Sequence, residues 1–110
     1  MTSTSAQNWA IRTLEVYGSR DIAQEFHVKV SEPVQNANVP WDWDCQYAVE
    51  GFADIGPTTV QGPDAIGALQ LALNVLGAYL SRLAQTHDIR WFGSRELGFE
   101  TYRLYQGPDP

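Results

Sequence analysis

The stretch Trp43-Asp44-Cys45-Gln46-Tyr47-Ala48-Val49-Glu50 decides the fold class. Trp43, Cys45, Tyr47 and Val49 fall on one side of a two-residue period, and Asp44, Gln46, Ala48 and Glu50 fall on the other. One apolar row against one mostly polar row predicts a strand in a sheet that is covered on a single face. The cover is encoded further on, where Gly62-Pro63-Asp64 opens a helix. Gly62 serves as N-cap, Pro63 suits the first helical position, and Asp64 complements the dipole. Ile66, Leu69, Leu73, Leu76, Leu80 and Leu83 then recur at spacings of three and four, predicting one sheet-facing stripe on a helix that reaches about Gln85.

That helix carries no charge from Ala65 to Ser81. Leu71, Val75 and Ala78 form a second apolar patch, well away from the first stripe at 100° per residue. A helix that rests on a sheet and otherwise meets water shows charges on its outer side. This one is expected to be covered twice, the second time by the C-terminal segment or by another subunit. Gln70 and Asn74 inside the run favour a buried helix of a soluble protein over a membrane span.

Working back toward the N-terminus, Trp9–Tyr17 and Ile22–Val30 are β-favouring runs joined by Gly18-Ser19-Arg20-Asp21, an antiparallel hairpin signal. Phe26, Val28 and Val30 share one face of the second run; Glu25, His27 and Lys29 share the other. Glu32 to Pro40 and Gly51 to Gln61 read as loops, because prolines, glycines and asparagines punctuate them. Toward the C-terminus, Ile89–Phe92 and Thr101–Tyr105 are each short enough and aromatic enough to be strands. The expectation is therefore an α+β fold, with a mostly antiparallel sheet of three to five strands packed by one long, largely buried helix. Residues 1–8 read as a polar tail, 9–106 as a single domain, and 107–110 as a frayed end.

The 110 residues hold 7 Lys+Arg and 13 Asp+Glu, a formal net charge of −6. The imbalance is local. Glu32, Asp42, Asp44, Glu50, Asp54 and Asp64 all lie between residues 30 and 81, a span with no Lys or Arg. Such a charge distribution argues against phosphate and nucleic-acid binding. The single cysteine, Cys45, gives no support for an oxidising compartment, and the polar N-terminus is no secretory signal, so the cytoplasm is the expected location.

Two blocks and a short third one carry a family resemblance. Trp43-Asp44-Cys45-Gln46-Tyr47 with Gly51 gives W-x-C-x-Y…G; Gly62 through Leu73 gives G-x-D-x-x-x-A-L-Q-L-A-L; Leu97-Gly98-Phe99 completes the set. The pattern resembles a family of short bacterial proteins known as a domain of unknown function. The chain departs from it at Gly67, where the family tends to have Gln, and at Glu100, where it tends to have Pro. The resemblance implies a bacterial source and no particular activity. The order of elements is also similar to that of small antitoxins that sequester RNA-cleaving toxins, which is an analogy of architecture alone.

Candidate chemistry follows from residue types. Cys45 would need His27 or His87 within hydrogen-bond reach to act as a nucleophile, but it sits on the apolar row and reads as core. No P-loop, dinucleotide fingerprint or metal-ligand spacing is present, so no catalytic residue, cofactor or metal ligand is assigned. Trp41 beside Asp42 and Asp44, with Glu50 and Asp54 nearby in sequence, reads as a protein-binding surface for a basic partner. The expected function is that of a small acidic non-enzymatic binding protein, in concrete form an immunity protein or antitoxin. Two alternatives stand beside it. One is a small metal-dependent hydrolase using Asp42, Asp44 and Glu50. The other is a homodimeric ligand-sensing or structural module in contact through Leu71, Val75 and Ala78.

Overall fold

The computed structural model describes residues 8–20 and 22–99. The chain runs β1 (Trp9–Tyr17), β2 (Ala23–Ser31), β3 (Val34–Gln35), β4 (Trp43–Glu50), β5 (Ile55–Gly62), α1 (Ala65–Leu83) and β6 (Asp88–Arg90). All strand pairs are antiparallel, in the order β3-β4-β2-β1-β6 with β5 also on β4, and α1 packs on one face of the sheet.

Six strands form where three to five were expected, and two local effects account for the difference. Tyr47 pairs with Val30 on one edge of β4 and with Thr58 on the other. β3 joins the first of these edges through Val34↔Asp44, so it continues the path of β2 after an interruption at Glu32-Pro33. The second effect concerns Gly51–Gln61, expected as a loop. It contains β5, because Pro57 lies in a strand that is hydrogen-bonded to β4 on one side and has no partner on its other edge among the described residues. A proline is tolerated at such an edge, where its missing N–H costs no ladder bond.

The alternation that predicted β4 is realised. Cys45 and Val49 are fully buried, with Trp43 and Tyr47 packed against the same core. A register shift between Tyr47 and Val49 also buries Ala48 on the opposite row. β2 contributes Phe26, Val28 and Val30, and β1 contributes Leu14 and Val16. Full burial of a side chain such as Phe26 stabilises the fold by about 2–3 kcal/mol.

The helix exists where expected but is set differently. Asp64, not Gly62, is the N-cap: its carboxylate accepts the Gly67 N–H at 2.6 Å. Gly62 instead lies beneath the helix start. A Cβ there would come within 2.4 Å of the Ala68 nitrogen, so only glycine permits this approach. The buried residues are Ala68, Ala72, Leu76, Gly77 and Leu80, five of nineteen, so the helix is not largely buried. Ile66 is 67% exposed and Leu73 is 38% exposed, against the expected stripe. The helix is turned by roughly 30° about its axis relative to that expectation. Ala68 and Ala72 join Leu76 and Leu80 on the buried face; of the expected stripe, Leu69 and Leu83 also pack against the core, and Ile66 and Leu73 fall at its exposed margin.

The helix contacts β4 and β5 chiefly, and β2 weakly. Leu14 and Val16 of β1 are buried in the same core as the helix, while the Ala10–Arg12 end of β1 borders a groove. Leu71 and Ala78 are exposed and Val75 is half-buried, so among the described residues the expected second cover is missing. Thr101–Tyr105 and the expected frayed end lie outside the described residues, as does the expected tail except for Asn8. The Asn8 carbonyl accepts the Glu32 N–H at 3.0 Å, and its amide donates to the Glu32 carboxylate at 3.1 Å.

Candidate functional site

The turn between β3 and β4 is built around one asparagine. Asn36 Oδ1 accepts the N–H groups of Asn38 and Val39 at 2.8 and 2.9 Å. Its Nδ2 donates to both Asp44 carboxylate oxygens, at 3.3 and 3.1 Å. Backbone bonds from Asn36 N–H to the Asp42 carbonyl and from Asp42 N–H to the Val39 carbonyl close the turn. Gln35 Nε2 adds a bond to the Pro40 carbonyl at 2.6 Å. At the outer end of this frame stands Trp41, 73% exposed. A large aromatic on a turn whose polar groups are satisfied internally is held in place with little ordering left to do on binding.

The acids predicted to accompany Trp41 divide into two groups. Asp42 and Asp44 flank the turn, and Asp44 also accepts from Gln61 Nε2 at 3.1 Å. Glu50 lies at the far end of β4, about 20 Å from Asp44 along the strand at the usual rise per residue. There it pairs with Lys29 at 3.3 Å. Asp54 accepts the Gly51 N–H at 2.8 Å and so closes the β4–β5 turn. Trp41, Asp42 and Asp44 therefore belong to one turn, and Glu50 and Asp54 do not. Asp42, Asp44 and Glu50 are not brought together either. Among the described residues no group of three His, Cys, Asp or Glu side chains is placed to hold a metal ion.

Cys45 faces Ser31, not a histidine. Its thiol donates to the Ser31 carbonyl at 3.3 Å, while Ser31 Oγ accepts the Gln46 N–H at 2.8 Å and donates to the Glu32 carbonyl at 3.1 Å. Burial pushes the Cys45 thiol pKa up, with smaller opposing contributions from Ser31 and Gln46. His27 bonds to Thr13 on the open face of the sheet, and the His87 ring packs edge-on against Phe52 at 5.1 Å. Cys45 is a core residue.

A second feature went unnoticed in the sequence. Ala10, Val28, Val30, Leu69, Leu73 and Phe99 line an apolar groove of about 540 Å³ on the β1 side of the helix. Arg12 also lines it. The Arg12 guanidinium lies 3.9 Å from the Trp91 ring centroid and 4.8 Å from that of Phe99, and Nη1 donates to the Leu97 carbonyl at 2.9 Å. Gly98, at φ +77°, makes this possible, since a Cβ there would approach Arg12 Nη1 to 2.6 Å. The Leu97-Gly98-Phe99 block thus supplies, in order, an acceptor, a close approach and an aromatic face for Arg12. The signal was present in β1: Ala10, Arg12, Leu14 and Val16 share one side of its two-residue period, placing a cation on the core-facing row.

These observations define a class: a small α+β protein with one helix on one face of an antiparallel sheet and an aromatic displayed on a rigid turn. The particular family is shown by comparison. The chain belongs to the family described as a domain of unknown function, DUF6968, whose model matches residues 10–101. No curated protein and no solved structure matches the chain.

Proposed function

We propose that this is a bacterial, cytoplasmic, non-enzymatic binding protein that engages a basic protein through Trp41, Asp42 and Asp44. An immunity protein or antitoxin is the concrete form of this reading. The observation that carries it is the exposure of Trp41 on the hydrogen-bonded Asn36 turn. Trp is among the residues that most often dominate the energy of protein–protein interfaces. The flanking carboxylates add attraction for a cationic partner and speed its encounter. The packing of α1 on β4 and β5 supports its role as a core helix of a soluble protein, although it is long and apolar enough to cross a membrane by length and composition.

The test is affinity capture from a lysate of the organism that encodes the chain, followed by identification of what is retained. The expected result is a basic protein held by the wild type at low salt, released as salt rises, and lost from Trp41→Ala. Equal capture by Trp41→Ala, or capture of no basic protein, would contradict the proposal.

A further inference from the structure

The groove beside Arg12 combines two properties that point to one kind of ligand. Its walls are apolar: Leu69 and Leu73 come from α1, Val28 and Val30 from β2, and Phe99 from the segment after β6. Leu73 remains 38% exposed because nothing among the described residues covers it on this side. A cavity of about 540 Å³ falls within the range typical of small-molecule sites.

The second property is the state of Arg12. A guanidinium carries five N–H donors in one plane. The Arg12 guanidinium carbon lies over the Trp91 and Phe99 rings, and Leu97 takes one donor. Among the described residues the ion pairs are Lys29–Glu50, Arg90–Asp88 and Arg95–Asp88, and none involves Arg12. The cation is thus held by its ring contacts without an anionic partner among the described residues. Glu32, the carboxylate on the same lining, is hydrogen-bonded to the Asn8 amide. Charge complementarity therefore favours an anion at the Arg12 end and an apolar body along the leucines and valines.

We propose that this groove is a binding site for a small amphipathic monocarboxylate, its apolar chain or ring against Val28, Val30, Leu69 and Leu73 and its carboxylate on Arg12. Arg is suited to this role because two parallel N–H groups match the two oxygens of a carboxylate. The site is separate from the Trp41 surface and does not depend on the protein-binding reading.

The experiment is a titration of the full chain with octanoate, followed through backbone amide NMR shifts, with 1-octanol as the uncharged comparison. The expected result is that shifts concentrate on Ala10, Arg12, Val28, Leu69 and Leu73, and that octanoate binds about tenfold more tightly than octanol, as a charge-assisted contact at a partly exposed site predicts. Arg12→Gln should bring the two ligands to equal affinity, and Arg12→Lys should retain part of the preference. Leu73→Trp, which fills the groove from an exposed helix position, should abolish both. Thermal melts establish that each variant is folded before it is titrated. Shifts scattered away from the groove, or an octanoate preference that survives Arg12→Gln in a folded protein, would overturn the proposal. So would octanoate binding that appears only after removal of residues 102–110, which would assign the groove to the chain's own C-terminal residues.

Discussion

The Trp41 turn and the Arg12 groove are built on opposite principles. At the turn, Asn36, Gln35 and Asp44 consume the polar groups of the loop among themselves, and an apolar side chain is pushed outward. At the groove the apolar side chains are the walls, and a cation lies among them with donors to spare. The contrast teaches that exposed apolar surface has two origins here. Trp41 is exposed because a rigid frame presents it. Leu73 is exposed because it lies at the margin of the helix face whose centre, Ala68, Ala72, Leu76 and Leu80, meets the sheet, and the helix packs chiefly on β4 and β5.

The largest effect that would sharpen this contrast lies within α1. Leu76→Ala should cost about 3–4 kcal/mol, since Leu76 is fully buried under the helix. Leu73→Ala should cost about 1 kcal/mol or less, since its side chain borders an open groove. Chemical denaturation of the two variants compares them directly. Equal costs would mean that the groove is closed and the helix covers both halves of the sheet.

Next in size is Asn36→Ala, which removes the centre of the turn. The loss of its bonds to Asn38, Val39 and Asp44 should lower stability by about 1–2 kcal/mol. It should also release Trp41, seen as a change in its fluorescence anisotropy. A stability loss with Trp41 still held would break the claim that the turn positions it. Asp64→Ala should cost about 1 kcal/mol by uncapping α1, and Asp64→Asn should restore most of that stability.

The smallest effect is at Asp88. Its hydrogen bond to Arg90 holds the carboxyl pKa below the ordinary value, against an opposing desolvation and with weaker help from the Arg90 and Arg95 charges. A carboxylate whose folded pKa is depressed stabilises the fold above its unfolded pKa, and that contribution fades as pH falls through the folded value. The melting-temperature difference between wild type and Asp88→Asn should therefore be small at neutral pH and close as the solution is taken well below the ordinary 3.8. A difference that widened in acid would reverse the sign of this argument.

How much of this was legible in the sequence depended on whether one period dominated a segment. β4 and the β1–β2 hairpin were readable, because Trp43, Cys45, Tyr47 and Val49, and likewise Phe26, Val28 and Val30, repeat every two residues. β5 was not, because Gly56 and Pro57 carry the signals of a loop whether or not the strand lies at an edge. Of the helix stripe, Leu69, Leu76, Leu80 and Leu83 are in or against the core and Ile66 and Leu73 are exposed; Ala68 and Ala72 were missed because leucine outweighs alanine in any apolar count. Trp41 was singled out in the sequence by its acidic neighbours, and the structure adds its exposure. The partners of Asp54 and Glu50 were not foreseeable, since they depend on a turn closure and on the β2–β4 register. Arg12 was legible only as a cation on the core-facing row of β1, since its partners come from the segment after β6.

The claim at the centre of this account is that Trp41 serves binding and not folding. Trp41→Ala tests it most directly when stability and partner capture are measured on the same preparation. The expected result is a melting temperature within about 3 °C of the wild type, as for an exposed residue, together with loss of the basic partner. A variant that unfolds, or one that keeps its stability and captures the same protein undiminished, would contradict the claim.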